Sequence, residues 1–174
     1  MDQMELALPA RGEAFEALVR RHAEAAFGFS LRLTGNRTDA EDLVQEGFVR
    51  AYRSLDGFRG ASEFRTWLFA ILVNCHRDQA RRRRRIAAAA PELREASAPA
   101  EAPGTCAAEE LRARVDRGIA ELPDRQRQVL TMHLEGKMDY GQIAAALGVT
   151  REDVKVNLSL ARRRLRVTLK EYLE

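Results

Sequence analysis

The chain has 174 residues, enough for one large domain or two small ones that would each be marginally stable alone, and its net charge of +3 is too small to demand a nucleic-acid partner. Cys75 and Cys106 stand in no CxxC or Cys/His spacing, which argues against a zinc site, and Cys75 falls on an apolar helical face as a core thiol would. The N-terminus lacks a basic region followed by an apolar run, and no uncharged apolar stretch approaches the roughly 18 residues of a membrane span, so the expectation is a soluble cytoplasmic protein.

In chain order, Phe15, Leu18, Val19, His22, Ala26, Phe29 and Leu33 recur at helical spacing and predict a first helix, broken at Thr34-Gly35-Asn36. Thr38-Asp39-Ala40-Glu41 reads as a capping box that starts a second helix, continued by Leu43, Gly47, Phe48, Ala51 and Leu55. Its Asp39, Asp42 and Glu46 share one face. A loop from Asp56 to Ala61 follows, and Ser62 is expected to cap a third helix with the apolar face Phe64, Trp67, Leu68, Ile71, Leu72 and Cys75. That helix runs into the unbroken basic run Arg81 to Arg85.

Residues 87–108 are rich in Ala, Pro and Glu and lack aromatic side chains, so they cannot bury enough surface to fold alone and read as a flexible linker. Beyond it, Leu111, Val115, Ile119 and Leu122 form one helical face, Pro123 restarts the chain as a first-turn residue, and Val129, Leu130 and Leu134 form the next face up to Gly136. Tyr140, Ile143, Ala144 and Leu147 predict a short helix that stops at Gly148. Thr150-Arg151-Glu152-Asp153 opens a last helix with Val154, Leu158, Ala161 and Leu165 inward. The fold class is therefore all-α: two small helical domains, 1–86 and 109–174, joined by the linker 87–108.

Tyr140 to Arg166 has helix-turn-helix form. With Val154 and Leu158 inward, Glu152, Val156, Ser159 and Arg163 turn outward, flanked by Lys155 and Arg166, and 151–170 holds seven basic residues against Glu152 and Asp153. Such a face can enter a major groove, its first residues reading base edges and its arginines holding phosphates. The plainer alternative is a helical hairpin with a solvated charged face. The acidic face of the second helix would repel DNA and suit a basic protein partner, unless it too is simply solvated. The histidines His22, His76 and His133 are scattered without nucleophile or metal spacing, so no catalytic site, metal or cofactor is expected.

The stretch GIAELPDRQRQVLTMHLEGKMDYGQIAAALGVTREDVKVNLSLARRRLR resembles region 4 of extracytoplasmic-function (ECF) sigma factors of the sigma-70 family, with Leu-Pro followed by Arg-Gln and an Ile-Ala-x-x-Leu-Gly turn. Upstream, DAEDLVQEGFVRAYRSLDGFRGASEFRTWLFAILVNCHRDQARRRRR resembles region 2 of the same family. The order of the two regions and the linker between them match as well.

The resemblance implies that 1–86 binds core RNA polymerase at the beta-prime clamp helices through Asp39, Asp42, Leu43, Gln45, Glu46 and Phe48. It implies that the same half binds and helps melt the minus-ten element of promoter DNA through Phe58, Arg59, Asn74, Arg77 and Arg81. From the residues alone, Phe58 can equally be a core plug and Asn74 a helix-surface amide, while Trp67 reads as core. The resemblance places the minus-thirty-five element on Arg151, Glu152, Lys155, Val156, Ser159 and Arg163. It adds the polymerase beta flap and an anti-sigma factor, often membrane-bound, as further partners, with no small-molecule substrate. The chain departs from the family in its last helix, where Val156, Asn157 and Leu160 replace polar or basic residues. The linker is expected to leave the two domains unaligned until core polymerase fixes them. A rival reading is a stand-alone dimeric helix-turn-helix regulator whose N-terminal half is a sensor or dimerisation domain.

Overall fold

In a computed structural model, which describes residues 3–58, 60, 62–89 and 107–170, seven α-helices and one 3-10 turn follow in order. They are α1 (Gln3–Thr34), α2 (Arg37–Arg53), the turn Leu55–Gly57, α3 (Phe64–Ala89), α4 (Ala107–Ala120), α5 (Asp124–Leu134), α6 (Tyr140–Leu147) and α7 (Arg151–Thr168). No strand occurs among the described residues. α3 extends to Ala89, past the expected boundary at 86, and most of the expected linker lies outside the described residues.

The helix boundaries follow from local chemistry. Gly35 takes φ +78°, a left-handed conformation that lets the chain leave α1 sharply. α2 is capped by Asn36 rather than by Thr38. The Asn36 Oδ1 accepts from the Asp39 amide at 2.7 Å and its Nδ2 donates to the Asp39 carboxylate at 2.8 Å, a reciprocal pair that starts the helix ahead of the expected box. α3 begins at Phe64, after Ser62, and the Glu63 carbonyl accepts the bond from Trp67. Pro123 stands at the N-cap of α5, just outside its first turn.

In the first half, α1, α2 and α3 pack around Leu33, Leu43, Leu68 and Leu72, with Phe29 stacked on Phe69 at 4.1 Å between ring centroids. Each such side chain, fully buried, contributes roughly 1.5–3 kcal/mol. The open end of this bundle is closed by Phe15, Phe48, Phe58, Phe64 and Trp67 in edge-on and tilted contacts. In the second half, α7 lays Val154, Leu158 and Ala161 against α5 and α6, where Val129, Ile143 and Leu147 are buried.

The halves do not stand apart. α5 packs on α1, and α6 on α3, so that one continuous core runs through both halves. The buried face of α3 differs from the expected one: Trp67 and Ile71 are only half-buried, whereas Phe69, Val73 and His76 are buried. The sequence pattern reports the face turned to α1 and α2. On the second face Phe69 is covered by Phe29 of α1, and His76 lies where the C-terminal half reaches α3.

α2 and α3 cross closely at Gly47. A Cβ on Gly47 would lie 2.3 Å from Leu72 Cδ2, and Leu72 is fully buried with no room to retreat. Gly47→Val is therefore expected to destabilise the fold by about 1–3 kcal/mol through overpacking. A lowered urea midpoint for the variant checks this, and an unchanged one would refute the close crossing.

Candidate functional site

Three surfaces carry the expected site residues. On α2, Asp42 and Gln45 are exposed and Asp39 and Glu46 half-buried, all along one side of the helix. Leu43 is fully buried and Phe48 nearly so, against Phe15, and this corrects their expected place in a partner contact. Their apolar side chains hold α2 down on the bundle and so present the acids. The acids are themselves braced from α3: Asp39 pairs with Arg83 at 2.8 Å, Glu46 accepts from Gln79 at 2.8 Å, and Arg50 joins Glu46 to Asp78. Burial alone would raise the Asp39 carboxyl, but the hydrogen bonds from Asn36 and Arg83 outweigh it and hold the group below the usual carboxylate range.

On α3, Asn74 and Arg81 are exposed and Arg77 is half-buried. Burial, and then the charges of Arg125 and Arg81, pull the Arg77 guanidinium below its ordinary value, which leaves a concentration of positive charge suited to phosphate. Phe58 turns inward, its ring 5.0 Å from Trp67 and 5.8 Å from Phe64, so the core-plug alternative describes its placement. Arg59 lies outside the described residues, as does Cys106. Cys75 is buried beneath the acidic face, where desolvation pushes its thiol up to about 11, far from a reactive thiolate.

On α7, Arg151, Glu152, Lys155, Val156, Ser159 and Arg163 are all exposed on the face expected for them. The helix start is fixed by a full capping box: the Asp153 amide donates to Thr150 Oγ1 at 3.1 Å, and the Thr150 amide donates to the Asp153 carboxylate at 3.0 Å. Hydrogen bonds from Thr150 hold the Asp153 carboxyl below its usual range. α6 is bounded as firmly, by a capping box at Asp139 and Gln142 and by Gly148 at φ +63°. Two features escaped the sequence reading. Asn157 is turned back, its Nδ2 donating to the Asp153 carbonyl at 2.8 Å, which removes its amide from the outer face. Arg151 folds over the start of α6, where a Cβ on Gly141 would come within 2.5 Å of its guanidinium, so Gly141 leaves the room that Arg151 occupies. His133 faces the Met138 carbonyl and the Tyr140 ring, a structural position. Among the described residues no group of His, Cys, Asp or Glu could hold a metal ion. No helix among them is long and apolar enough to cross a membrane.

The family model for sigma-70 region 2 matches residues 18–86, and that for sigma-70 region 4 matches residues 112–165. The chain belongs to the ECF sigma factors of the sigma-70 family. These are alternative sigma factors, transcription initiation proteins that direct RNA polymerase to promoters. It is 34% identical over 157 residues to the ECF RNA polymerase sigma factor SigE of Mycolicibacterium smegmatis, covering 88% of this chain but only 60% of that protein. The ECF RNA polymerase sigma-E factor of Escherichia coli is 35% identical over 148 residues, covering 78% of this chain and 75% of its own. Among solved structures, the sigma factor RpoE of Bartonella quintana in complex with the anti-sigma factor NepR superposes with a TM-score of 0.79 at 27% identity, over 91% of this chain and 98% of that one. CnrH in complex with the cytosolic domain of CnrY superposes with a TM-score of 0.63 at 30% identity, over 95% and 96%. The region 2 match removes the rival in which the N-terminal half is a sensor or dimerisation domain.

Because Thr150 fixes where α7 starts, and with it the aim of Glu152 and Lys155, Thr150→Ala is expected to cost about 1 kcal/mol of stability. Faster amide exchange at Asp153 and Val154 should accompany it. Unchanged exchange at these two amides would mean that the cap does not set the helix start.

Proposed function

We propose that this chain acts in the cytoplasm as an ECF sigma factor without catalytic activity of its own. It binds core RNA polymerase through the acidic face of α2, opens the minus-ten element along α3, and reads the minus-thirty-five element with α7. The observation that carries this reading is the separate exposure of all three surfaces on one chain, an acidic one on α2 and two cationic ones on α3 and α7. Within it, residues 1–86 form the region 2 unit and 109–174 the region 4 unit, with the beta-prime clamp helices and the beta flap as their respective places on core.

The acidic face works as an exchangeable surface. Its pairs with Arg83 and Arg50 are partly exposed, and such pairs contribute only about 0–1 kcal/mol each, so a basic partner helix can replace them at little cost. On α3, Asn74 projects free toward solvent and can hydrogen-bond an unstacked base, while Arg77 and Arg81 hold the adjoining backbone. On α7, Lys155 and Glu152 sit at the helix start, Val156 points outward with half its surface exposed, and Arg163 lies two turns on, where a helix leaving the groove meets phosphate.

The docked halves bear on how this works. The minus-ten and minus-thirty-five elements lie about 25 base pairs apart, or about 85 Å at roughly 3.4 Å per pair. A chain of this length packed as one body has a radius of gyration of only about 16 Å. Both elements are engaged only when the halves part, and the segment 90–106 would reach about 60 Å fully extended at roughly 3.5 Å per residue. Core polymerase supplies the separation. An anti-sigma factor is the further partner this reading includes, since the structurally similar sigma factor RpoE was captured with the anti-sigma factor NepR.

Reconstitution with core polymerase and a candidate promoter tests the reading, specific transcripts being the expected result. Asp42→Lys is expected to weaken core binding at least tenfold while leaving the unfolding midpoint unchanged. It is a cleaner probe than Glu46, whose carboxylate is engaged by Gln79 and Arg50. Full-strength core binding by Asp42→Lys would remove α2 from the interface.

For α7, selection of active promoters from a randomised upstream element is expected to give a different preferred sequence for Val156→Ser, because a hydroxyl hydrogen-bonds where valine methyls only pack against a thymine methyl. Arg163→Ala is expected to weaken all promoters alike and to lower the salt dependence. Identical preferences for the parent and Val156→Ser would make α7 a phosphate anchor that does not read bases.

A further inference from the structure

Beside the shared apolar core, the charged contacts between the halves run in one direction. Arg32 of α1 pairs with Asp116 at 2.9 Å and with Glu135, Arg65 of α3 donates to the Glu135 carbonyl at 2.9 Å, and Arg84 of α3 meets Asp124 at 3.4 Å. In each of these four contacts the cation belongs to the first half and the acceptor to the second. Glu135 caps the C-terminus of α5, where cations are favoured, and Asp124 opens its N-terminus, so α5 is held at both ends.

His76 lies between these two clamps on α3. It sits on the face formed with Arg65, Phe69 and Val73, is only 9% exposed, and its Nδ1 has no hydrogen-bond partner within the protein. The charged groups facing it are Arg127 and Asp124 from α5, Asp39 from α2 and Arg83 from its own helix. Neither carboxylate is free to receive an imidazolium: Asp124 is bonded to Arg127 at 2.6 Å, and Asp39 to Arg83 at 2.8 Å. A proton on the ring would therefore be a buried charge beside two arginines, without a partner of its own.

We propose that His76 is a proton-operated latch: neutral, it lets the two halves dock, and once protonated it drives them apart. Burial, and then Arg127, hold its ring below the usual histidine range in the docked state, whereas in the parted state Arg127 and the cover from the second half are gone and the ring moves back up toward its ordinary range near 6.5. The docked pKa is the lower one, so docking is fully favoured above pH 6.5 and weakens as pH falls through and below that value. The loss is up to tenfold in the docking constant per pH unit until the docked-state pKa is reached. The latch thus makes the free protein readier for any partner that needs the halves separated.

Small-angle scattering of the full chain between pH 8 and pH 5.5, at constant ionic strength because the arginine pairs are themselves screened by salt, reads the latch directly. The parent is expected to keep a radius of gyration of about 16 Å at pH 8 and to expand below pH 6.5 with helical content unchanged. His76→Gln, which cannot take a proton, should stay closed at pH 5.5, and His76→Lys should be expanded already at pH 7.5. His22→Gln should expand as the parent does, because His22 lies against Phe64 and faces Arg21 and Arg65 rather than α5. A parent whose radius does not change with pH, or a His76→Gln that expands as the parent does, overturns the latch. If His76→Lys does not fold, the Gln variant still decides. No polymerase enters the measurement, so its failure and that of the promoter-recognition reading are distinguishable.

Discussion

α3 is buried along two faces, and the arrangement of every other element follows from that. One face carries Leu68, Leu72 and Cys75 against α1 and α2, the other carries Phe69, Val73 and His76, and only what remains is free for solvent or ligand. Asn74, Asp78 and Arg81 occupy that remaining strip. A helix constrained on two sides cannot rotate, so the strip is presented in a fixed direction, as a site that must hold a base or a phosphate in register requires. The second half is tied to the first where α6 packs on α3 and α5 on α1, each shielding the other from water.

Electrostatics in the free protein are arranged as internal neutralisation. The acids of α2 are matched by Arg83 and Arg50, and those of α4 and α5 by Arg32 and Arg84. Most of these groups are more than a third exposed, and in water such pairs hold little energy. They are therefore exchangeable at little cost in stability. Apolar packing supplies the stability and the charges decide which contacts are exchangeable. That division suits a protein whose surfaces serve other macromolecules.

α7 shows how a helix is made rigid without deep burial. Three inward residues, Val154, Leu158 and Ala161, hold it to α5 and α6, a capping box closes its start, and Asn157 bonds back to its own first turn. The outer face can then vary in chemistry at small structural cost. Val156 and Lys155 are exposed on that outer face and lie outside the buried core.

The helices, the two family regions, the inward residues of α7 and the caps at Thr150 and Gly148 were legible in the sequence, because each rests on interactions within a few residues: a 3.6-residue period, a hydroxyl three residues from an amide, a glycine free to adopt positive φ. The outward set on α7 followed from the same period. The sequence did not disclose that Leu43 and Phe48 lie beneath the acidic face rather than on it, that Phe58 turns into the aromatic cluster, that Asn36 rather than Thr38 caps α2, or that α3 has a second buried face. Burial of Leu43 depends on where α1 and α3 lie, and burial of His76 on helices about fifty residues further along the chain. Local chemistry thus fixed which segments are helices and which side of most of them is apolar. Only tertiary packing decided that the halves dock and that His76 is enclosed, because burial at such a contact belongs to two distant segments at once and leaves no period in either.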